Sequence, residues 1–126
     1  MSPLAAFFPR MLLAGGPVPE VDGGVWAPPL DVYVTGGDLV IEVELPGTAP
    51  GDIRLTCYEH VLLIEGAKGD TVPRGKAAVE RFLCVERAAG PFRRLVEFPW
   101  PVDRSRGRAR FRDGVLTVVL PKLGSG

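Results

Sequence analysis

The dipeptide Asp113-Gly114 constrains the fold of this chain more than any other feature. It lies between two runs of strand-forming residues, and Asp-Gly in that setting is the strongest short-range signal for a β-hairpin. The strand that ends near Arg112 is therefore predicted to fold back on the strand that starts at Val115.

Strand signals recur along most of the chain, with turn residues about every ten positions. In residues 38–45 the large aliphatic residues occupy every second position, which is typical of a strand with one buried face. The candidate strands are residues 31–35, 38–45, 53–58, 61–65, 80–86, 92–98, 106–112 and 115–120. Because no helical period accompanies them, the pattern predicts an all-β, immunoglobulin-like β-sandwich.

The first 25 residues differ from the rest in their high proline content, which excludes a long helix. We expect a largely unstructured N-terminal arm over residues 1–25, a sandwich over residues 26–121 and a short C-terminal tail over residues 122–126. The arm is either an ordinary frayed terminus or an apolar surface that contacts other proteins. The apolar residues of the arm are Leu4, Phe7, Phe8, Met11, Leu12 and Leu13.

The formal net charge of zero gives no global attraction to nucleic acid or to an anionic membrane, and neither is expected as a partner. No apolar run reaches the roughly 18 residues that a membrane span needs. Arg10 lies inside the first apolar stretch rather than ahead of it, which makes that stretch a poor secretory signal. The expected location is therefore the cytoplasm.

Arginines occupy alternate positions between residues 106 and 112, namely Arg106, Arg108, Arg110 and Arg112. On one strand these side chains share a face and repel each other unless acids lie opposite. Two interpretations stay open: a solvated sheet edge, or charge pairing with acids across a subunit interface.

Arg94 has a different setting, because it alternates with Phe92, Val96 and Phe98 on a predicted apolar face. An unpaired guanidinium is costly there. We expect Arg94 to meet a carboxylate, either of this chain or of a partner chain.

Candidates for catalysis are few. Cys57 and Cys84 lack the spacing of a metal or redox motif, and both lie in apolar stretches, which predicts two buried thiols. His60, the single histidine, follows Cys57 by three residues across a turn, so their side chains are expected on opposite faces. A buried cysteine beside a solvated histidine is favoured over a nucleophile and its base. We expect no enzyme, no cofactor and no metal site.

Several segments between Trp26 and Lys122 match a known family in order and spacing. They are Trp26-Ala-Pro-Pro-Leu-Asp-Val, Glu42-Val-Glu-Leu-Pro-Gly47, Asp52-Ile-Arg-Leu55, Leu62-Leu-Ile-Glu-Gly66, Val85-Glu-Arg-Ala-Ala-Gly-Pro-Phe-Arg-Arg94, Phe98-Pro99, Val102-Asp103, Gly114-Val-Leu-Thr-Val118 and Pro121-Lys122. Together they resemble the α-crystallin domain of the small heat-shock proteins (Hsp20). The resemblance implies an ATP-independent holdase that binds unfolding client proteins, and it makes the apolar residues of the arm the candidate client-binding residues. A partner-specific module like the β-sandwich domains of Hsp90 co-chaperones is the alternative.

The resemblance also implies a strand-swapped homodimer. The loop 67–90 would carry the strand 80–86 to the partner subunit, where it would pair with residues 31–35. The implied dimer interface consists of Asp31, Val32, Tyr33, Val34, Arg81, Phe82, Leu83, Cys84, Val85 and Arg94.

The family further implies a groove between residues 53–57 and 108–111, which in relatives receives an Ile-x-Ile/Val motif from a C-terminal extension. The implied client or peptide groove is lined by Ile53, Leu55, Cys57, Ala109 and Phe111. Because no such motif follows Lys122, the groove is expected to be either open or collapsed, and the assembly a dimer or a small oligomer.

Overall fold

The computed structural model describes residues 9–18, 26–68, 81, 83–84 and 90–124. Within these residues the chain forms eight strands and one short 3-10 helix. The strands are β1 (Met11–Leu13), β2 (Leu30–Thr35), β3 (Asp38–Glu44), β4 (Thr48–Cys57), β5 (Val61–Lys68), β6 (Gly90–Glu97), β7 (Arg108–Arg112) and β8 (Val115–Pro121), and the helix is Arg104–Arg106. This part of the chain contains no helix of the length and apolarity that crossing a bilayer requires.

The strands form two four-stranded sheets, in the orders β1-β4-β5-β6 and β2-β3-β8-β7. Every pairing is antiparallel except that of β1 with β4, which is parallel. Apolar side chains from both sheets form one buried core cluster, which includes Leu39, Ile41, Val43, Leu55, Leu62, Ile64, Phe92, Leu116, Val118 and Leu120. The predicted β-sandwich is confirmed.

Most of the alternation in β3 is as predicted: Leu39, Ile41 and Val43 are buried on the inner face, whereas Glu42 and Glu44 are not. Val40, which shares the predicted wet face with the two glutamates, is the exception, because it is buried as well. The central strand β8 buries Leu116, Val118 and Leu120 in the same way. Each of these side chains removes apolar surface from water, so the alternation itself determines which face of the sheet points inward.

The Asp113-Gly114 hairpin is also confirmed, since Arg112 pairs with Val115 across a two-residue turn. Asp113 has φ +54° and Gly114 has φ +77°. Positive φ at both central residues is the signature of a type I′ turn, whose twist matches the twist of the two strands. Leu45 donates its backbone N–H to the Gly114 carbonyl at 2.7 Å, which joins this turn to the end of β3.

One sequence prediction needs correction: Arg106 lies in the 3-10 helix and not in a strand. Within the arm, which was predicted to be largely unstructured, Met11–Leu13 form the short strand β1, because their backbone pairs with the edge of β4. The strand predicted over residues 80–86 was expected to form on a partner subunit. Arg81, Leu83 and Cys84, its three described residues, are not in a strand in the single chain, and the exchanged strand stays a prediction.

Candidate functional site

The β4 edge carries a short segment of the chain's own arm. Met11 pairs with Leu55 and Leu13 pairs with Cys57, in parallel register. One residue further on, the Ala14 N–H donates to the Cys57 carbonyl at 2.9 Å. Without this segment β4 would be the outermost strand of its sheet, with its hydrogen-bonding groups unpaired.

Arg104 holds the end of this pairing. It lies in the 3-10 helix that precedes β7, and its Nη1 donates to the Ala14 carbonyl at 2.6 Å and to the Cys57 carbonyl at 3.2 Å. One guanidinium nitrogen therefore bridges the arm and the β4 edge. Hydrogen bonds from a charged donor are stronger than those between neutral groups.

Met11 occupies a recess that exists because residue 107 is a glycine. A Cβ built on Gly107 would lie 3.0 Å from Met11 Cε and 2.8 Å from Leu120 Cδ2. Any larger residue at position 107 would need the space that Met11 and Leu120 now fill. We refer to the β4 edge, Arg104 and the Gly107 recess together as the β4 site.

Four of the residues predicted to line a groove, Leu55, Cys57, Ala109 and Phe111, belong to the buried core cluster, and Ile53 packs against that cluster partly buried. β1 pairs with the β4 edge at Leu55 and Cys57. An apolar segment from elsewhere in the chain satisfies the backbone groups of an edge strand in this way. The client or peptide groove itself stays a prediction.

The other apolar residues of the arm are either about half exposed or outside the described residues. Leu12 and Leu13 are 47% and 53% exposed. Leu12 also helps to line a cleft of about 620 Å³ that extends past Ile53 to Gly66. Leu4, Phe7 and Phe8 lie outside the described residues, so their predicted role stays a prediction.

The predicted dimer surface contains an edge strand. β2 is the outermost strand of its sheet in the described part of the chain, and its residues Asp31 to Thr35 are exposed. Val32, Tyr33 and Val34 are among the large apolar residues left in contact with solvent. An exposed apolar edge strand is a template for pairing with another chain.

The strand predicted to pair with it from a partner is described only in part. Leu83 is 90% exposed, and Arg81 and Cys84 are exposed as well. Phe82 and Val85 lie outside the described residues. Cys84, which the sequence predicts to be buried, is exposed in the single chain.

Arg94 lies next to the start of β2. Its Nη1 donates to the Pro28 carbonyl at 2.7 Å, two residues before β2 begins. Phe92, Val96 and Phe98 are buried as expected for an apolar face. Among the described residues the Arg94 guanidinium donates to a carbonyl oxygen, and its pairing with a carboxylate of this chain or of a partner stays a prediction.

The exposed arginines of β7 face solvent on the outer side of the sheet. Arg108, Arg110 and Arg112 are exposed and lie opposite Val119, Thr117 and Val115 of β8. Thr117 of β8 separates Arg110 from the nearest acid in the same cross-strand row, Glu42 of β3. Both interpretations of this face, a solvated edge and an intersubunit charge pairing, stay open.

Cys57 and His60 do not form a catalytic pair. Cys57 is fully buried, and burial raises the pKa of its thiol to about 11, with the positive charge of Arg104 acting in the opposite direction. The His60 side chain is 53% exposed in the turn between β4 and β5, where its Nε2 lies 3.7 Å from Glu59 Oε1. The expected arrangement of a buried thiol beside a solvated histidine is confirmed.

Sequence reasoning missed two residues of the β4 site, Arg104 and Gly107. Their contacts with the arm join residues about ninety positions apart, so no local sequence pattern indicates them. The one available signal was Gly107 itself, which lies inside the strand predicted over residues 106–112, since a glycine within a strand often marks a close approach of other atoms.

The comparison with known proteins gives the chain a family. A family model described as Hsp20/alpha crystallin matches residues 31–126. The chain belongs to the Hsp20/alpha crystallin family. Two curated members are the 19.0 kDa class II heat shock protein of Oryza sativa subsp. japonica, 37% identical over 101 residues, and small heat shock protein C2 of Rickettsia felis, 30% identical over 99 residues. These matches cover 75% and 79% of the chain but 57% and 62% of the relatives. The chain thus spans less than two thirds of these relatives' length.

Solved structures of the Hsp20 family share the fold. Heat shock protein 16.0 from Schizosaccharomyces pombe superposes with a TM-score of 0.71 and 29% identity, covering 79% of this chain and 90% of that one. The hspA protein from Xanthomonas axonopodis has a TM-score of 0.68 and 29% identity, with coverage of 80% and 98%. The resemblance inferred from the sequence motifs is therefore confirmed for both family and fold.

Proposed function

We propose that this Hsp20-family chain is an ATP-independent holdase, which binds unfolding proteins and keeps them from aggregating. The observation that carries the proposal is the exposure of large apolar side chains, Leu12 and Leu13, on strand β1 of a folded sandwich. Apolar surface left exposed on a folded chain often marks a site where another protein binds. The exposed residues of β2 belong to the dimer proposed below.

The chemistry of an unfolding protein matches these surfaces. Such a protein exposes apolar side chains and unpaired backbone groups together, and an exposed strand edge can bind both by strand addition. Binding of this kind needs no nucleotide, because burial of apolar surface supplies the driving force. Specificity for one client is not required.

We also propose that two chains form a strand-swapped homodimer through the β2 edge. The exposed apolar β2 strand and the position of Arg94 beside its start support this proposal. In the dimer, residues 80–86 of one chain would add to β2 of the other. This addition would cover Leu83, which is 90% exposed in the single chain.

The holdase proposal is tested by heating a thermolabile client enzyme with and without this protein, in the absence of ATP, and following light scattering. We expect suppression of scattering at near-equimolar ratios of protein to client. An equal mass of serum albumin serves as the control for nonspecific crowding. Scattering that matches the albumin control, from protein shown to be folded by circular dichroism, would reject the proposal.

A further inference from the structure

The outer face of the sheet β2-β3-β8-β7 carries its charges in two separate groups. Arginines line the edge strand β7, and carboxylates lie on the other side of the face, on β2 and β3. The members are Arg108, Arg110 and Arg112 in the first group, and Asp31, Glu42 and Glu44 in the second. Between the groups, the outward side chains of β8 are uncharged and partly buried, namely Val115, Thr117 and Val119. We refer to these residues together as the charged face.

The strand register places a base and an acid at opposite ends of the same cross-strand row. Arg110 pairs with Thr117, Thr117 pairs with Glu42, and Glu42 pairs with Asp31. The next row of the face consists of Arg112, Val115 and Glu44. Neighbouring strands lie about 4.8 Å apart, so the backbones of Arg110 and Glu42 are about 10 Å apart. Each row therefore runs from a positive end on β7 to a negative end on β3 or β2.

Within the single chain this arrangement is electrostatically unfavourable at both ends. Asp31 and Glu42 are direct cross-strand neighbours, and like charges in that position destabilise a sheet. The arginines alternate along β7, so neighbouring arginines on the face are only about 7 Å apart. Among the described residues, no acid lies within ion-pair distance of Arg108 or Arg110, and no base lies within that distance of the three acids. The face thus holds two groups of like charges that the described part of the chain does not neutralise.

A second copy of the charged face is complementary to both groups at once. A twofold axis that lies between two such faces, parallel to the strands, turns one copy over, so that β7 of each chain lies across β3 and β2 of the other. This rotation leaves positions along the strands unchanged, so each cross-strand row meets the same row of the second chain. Arg110 of one chain then lies opposite Glu42 of the other. Two packed sheets keep their strands within about 30° of each other, which preserves this matching over a face that is four strands wide.

The acids of the face also provide space for an arginine side chain. Asp31, Glu42 and Glu44 line a depression of about 320 Å³ together with Val115. The arginines of β7 are exposed, and a guanidinium can donate two parallel hydrogen bonds to one carboxylate. Charged residues around an uncharged centre are also the usual arrangement of a protein–protein interface.

We infer that the charged face is an interface between two copies of this chain, related by a twofold axis parallel to the strands, in which Arg110 pairs with Glu42 and Arg112 with Glu44. A self-complementary contact of this kind closes at two chains and does not propagate. It leaves the hydrogen-bonding edge of β2 free, so it is separate from the strand-swapped dimer proposed above and does not depend on it. The face is about 19 Å wide, which is small for a stable complex, so the association is weak and sensitive to salt.

Opposite charge reversals in two chains test the interface. Arg110→Glu gives the row acids on β7 as well as on β3, and Glu42→Arg gives it bases on both strands. Each variant alone should repel its own copies, whereas an equimolar mixture of the two again places opposite charges at this contact. We expect sedimentation velocity at low salt to show association weakened about tenfold or more in each variant alone. The mixture should associate at least as strongly as the parent protein, and about 0.5 M salt should remove this gain by screening.

Arg54→Glu is the matched control, because it makes the same charge change at an exposed arginine of the other sheet, on β4. This variant should associate as the parent does. A mixture of Arg110→Glu and Glu42→Arg that associates no more than its two components would overturn the interface, and the charged face would then serve a different partner or solvent alone.

The second row repeats the test if Glu42→Arg is not folded by circular dichroism. Arg112→Glu and Glu44→Arg then form the pair of opposite reversals, with the same expected gain on mixing. A strand-swapped dimer, present or absent, does not change the comparison, because every mixture is measured against its own two components. Failure of the swapped dimer and failure of this interface are therefore distinguishable.

Discussion

Met11 lies beside Gly107, where the missing side chain leaves it room: a Cβ at position 107 would stand 3.0 Å from Met11 Cε, which is tighter than an ordinary contact. The two residues are 96 positions apart in sequence, and neither one by itself indicates the contact. Gly107 has φ −68° and ψ 146°, a conformation open to any residue, so its value lies in the space that it leaves.

Gly107→Ala should therefore shift the Met11 side chain and weaken the docking of β1 on β4 without unfolding the domain. The two atoms nearest to the added Cβ, Met11 Cε and Leu120 Cδ2, are the ends of flexible side chains, and Met11 is the less buried of the two. We expect the free energy of unfolding to change by less than about 1 kcal/mol, because the overpacking is relieved locally and alanine restricts the unfolded chain. Hydrogen exchange at the Leu55 and Cys57 amides reports the loss of docking.

The double variant Gly107→Ala, Met11→Ala checks that the clash is the cause. Removing the Met11 side chain removes the clash, so amide protection at Leu55 should partly return. Gly15→Ala is a control in the same arm, since nothing lies within 4 Å of the position of its Cβ. Unchanged protection in Gly107→Ala would show that Met11 does not need the recess.

Gly66 presents the opposite case. A Cβ there would collide with the backbone carbonyl of Asp52 and would lie 2.6 Å from Cζ of Phe92, a fully buried ring. Neither the Asp52 carbonyl nor the Phe92 ring can move away easily. Gly66→Ala should therefore lower the free energy of unfolding by about 3 kcal/mol, the upper end of the usual range for an overpacked core. Gly51→Ala, on the neighbouring strand with open space around it, should change stability by less than about 0.5 kcal/mol. Chemical denaturation of both variants measures the difference, and equal midpoints would contradict it.

The part of the fold that could be predicted from the sequence is the part determined by local patterns. The alternation of Leu39, Ile41 and Val43 determines which face of β3 is buried, and the Asp113-Gly114 turn determines the register of β7 with β8. Both signals act over a few residues, where steric limits and burial allow only one strand orientation and one register.

The β4 site could not be predicted in the same way. The apolar character of Met11, Leu12 and Leu13 indicated a contact surface, but not which surface it contacts. Docking on β4 depends on a guanidinium and on a missing side chain, both about ninety residues away. Sequence patterning reports which residues avoid water and leaves open which edge strand they cover.

The turn at Asp113 offers a test of backbone strain. Its φ of +54° is unfavourable for most residues, and most of all for a β-branched one. Asp113→Val should destabilise the protein by about 1–2 kcal/mol. Asp113→Asn should be close to neutral, since asparagine tolerates this conformation and also lacks the carboxylate that lies 3.5 Å from Arg112. Thermal unfolding of the two variants separates the effect of backbone strain from that of the ion pair with Arg112. Similar losses of stability in both variants would show that the missing charge is the cause.

The β2 edge offers a test of the dimer. Val34 is 52% exposed, so Val34→Lys should leave the folded chain intact while placing a charge against the partner strand. We expect the dimer dissociation constant to rise by about tenfold or more, that is by about 1.4 kcal/mol. Leu123→Lys, at a residue with the same 52% exposure but outside β2, is the matched control. Sedimentation analysis over a range of concentrations measures both, and a parent protein that stays monomeric throughout would reject the dimer.

Cys57 gives the stability of the domain a pH dependence with a definite sign. Burial raises the pKa of its thiol from the ordinary 9.0 to about 11. Above about pH 9 the unfolded chain loses this proton while the folded chain keeps it, so the unfolded state is increasingly favoured as the pH rises. The stabilisation is complete below pH 9 and is lost progressively as the pH approaches about 11.

Urea unfolding at several pH values measures this loss, with Cys84→Ser in every protein so that the exposed thiol does not contribute. Other groups also titrate in this range, so the informative quantity is the difference between the parent and Cys57→Ala. We expect the stability of the parent to fall more steeply than that of Cys57→Ala. Parallel curves would mean that the Cys57 thiol ionises as readily in the folded chain as in the unfolded one, and that the β4 edge at this position is open to water.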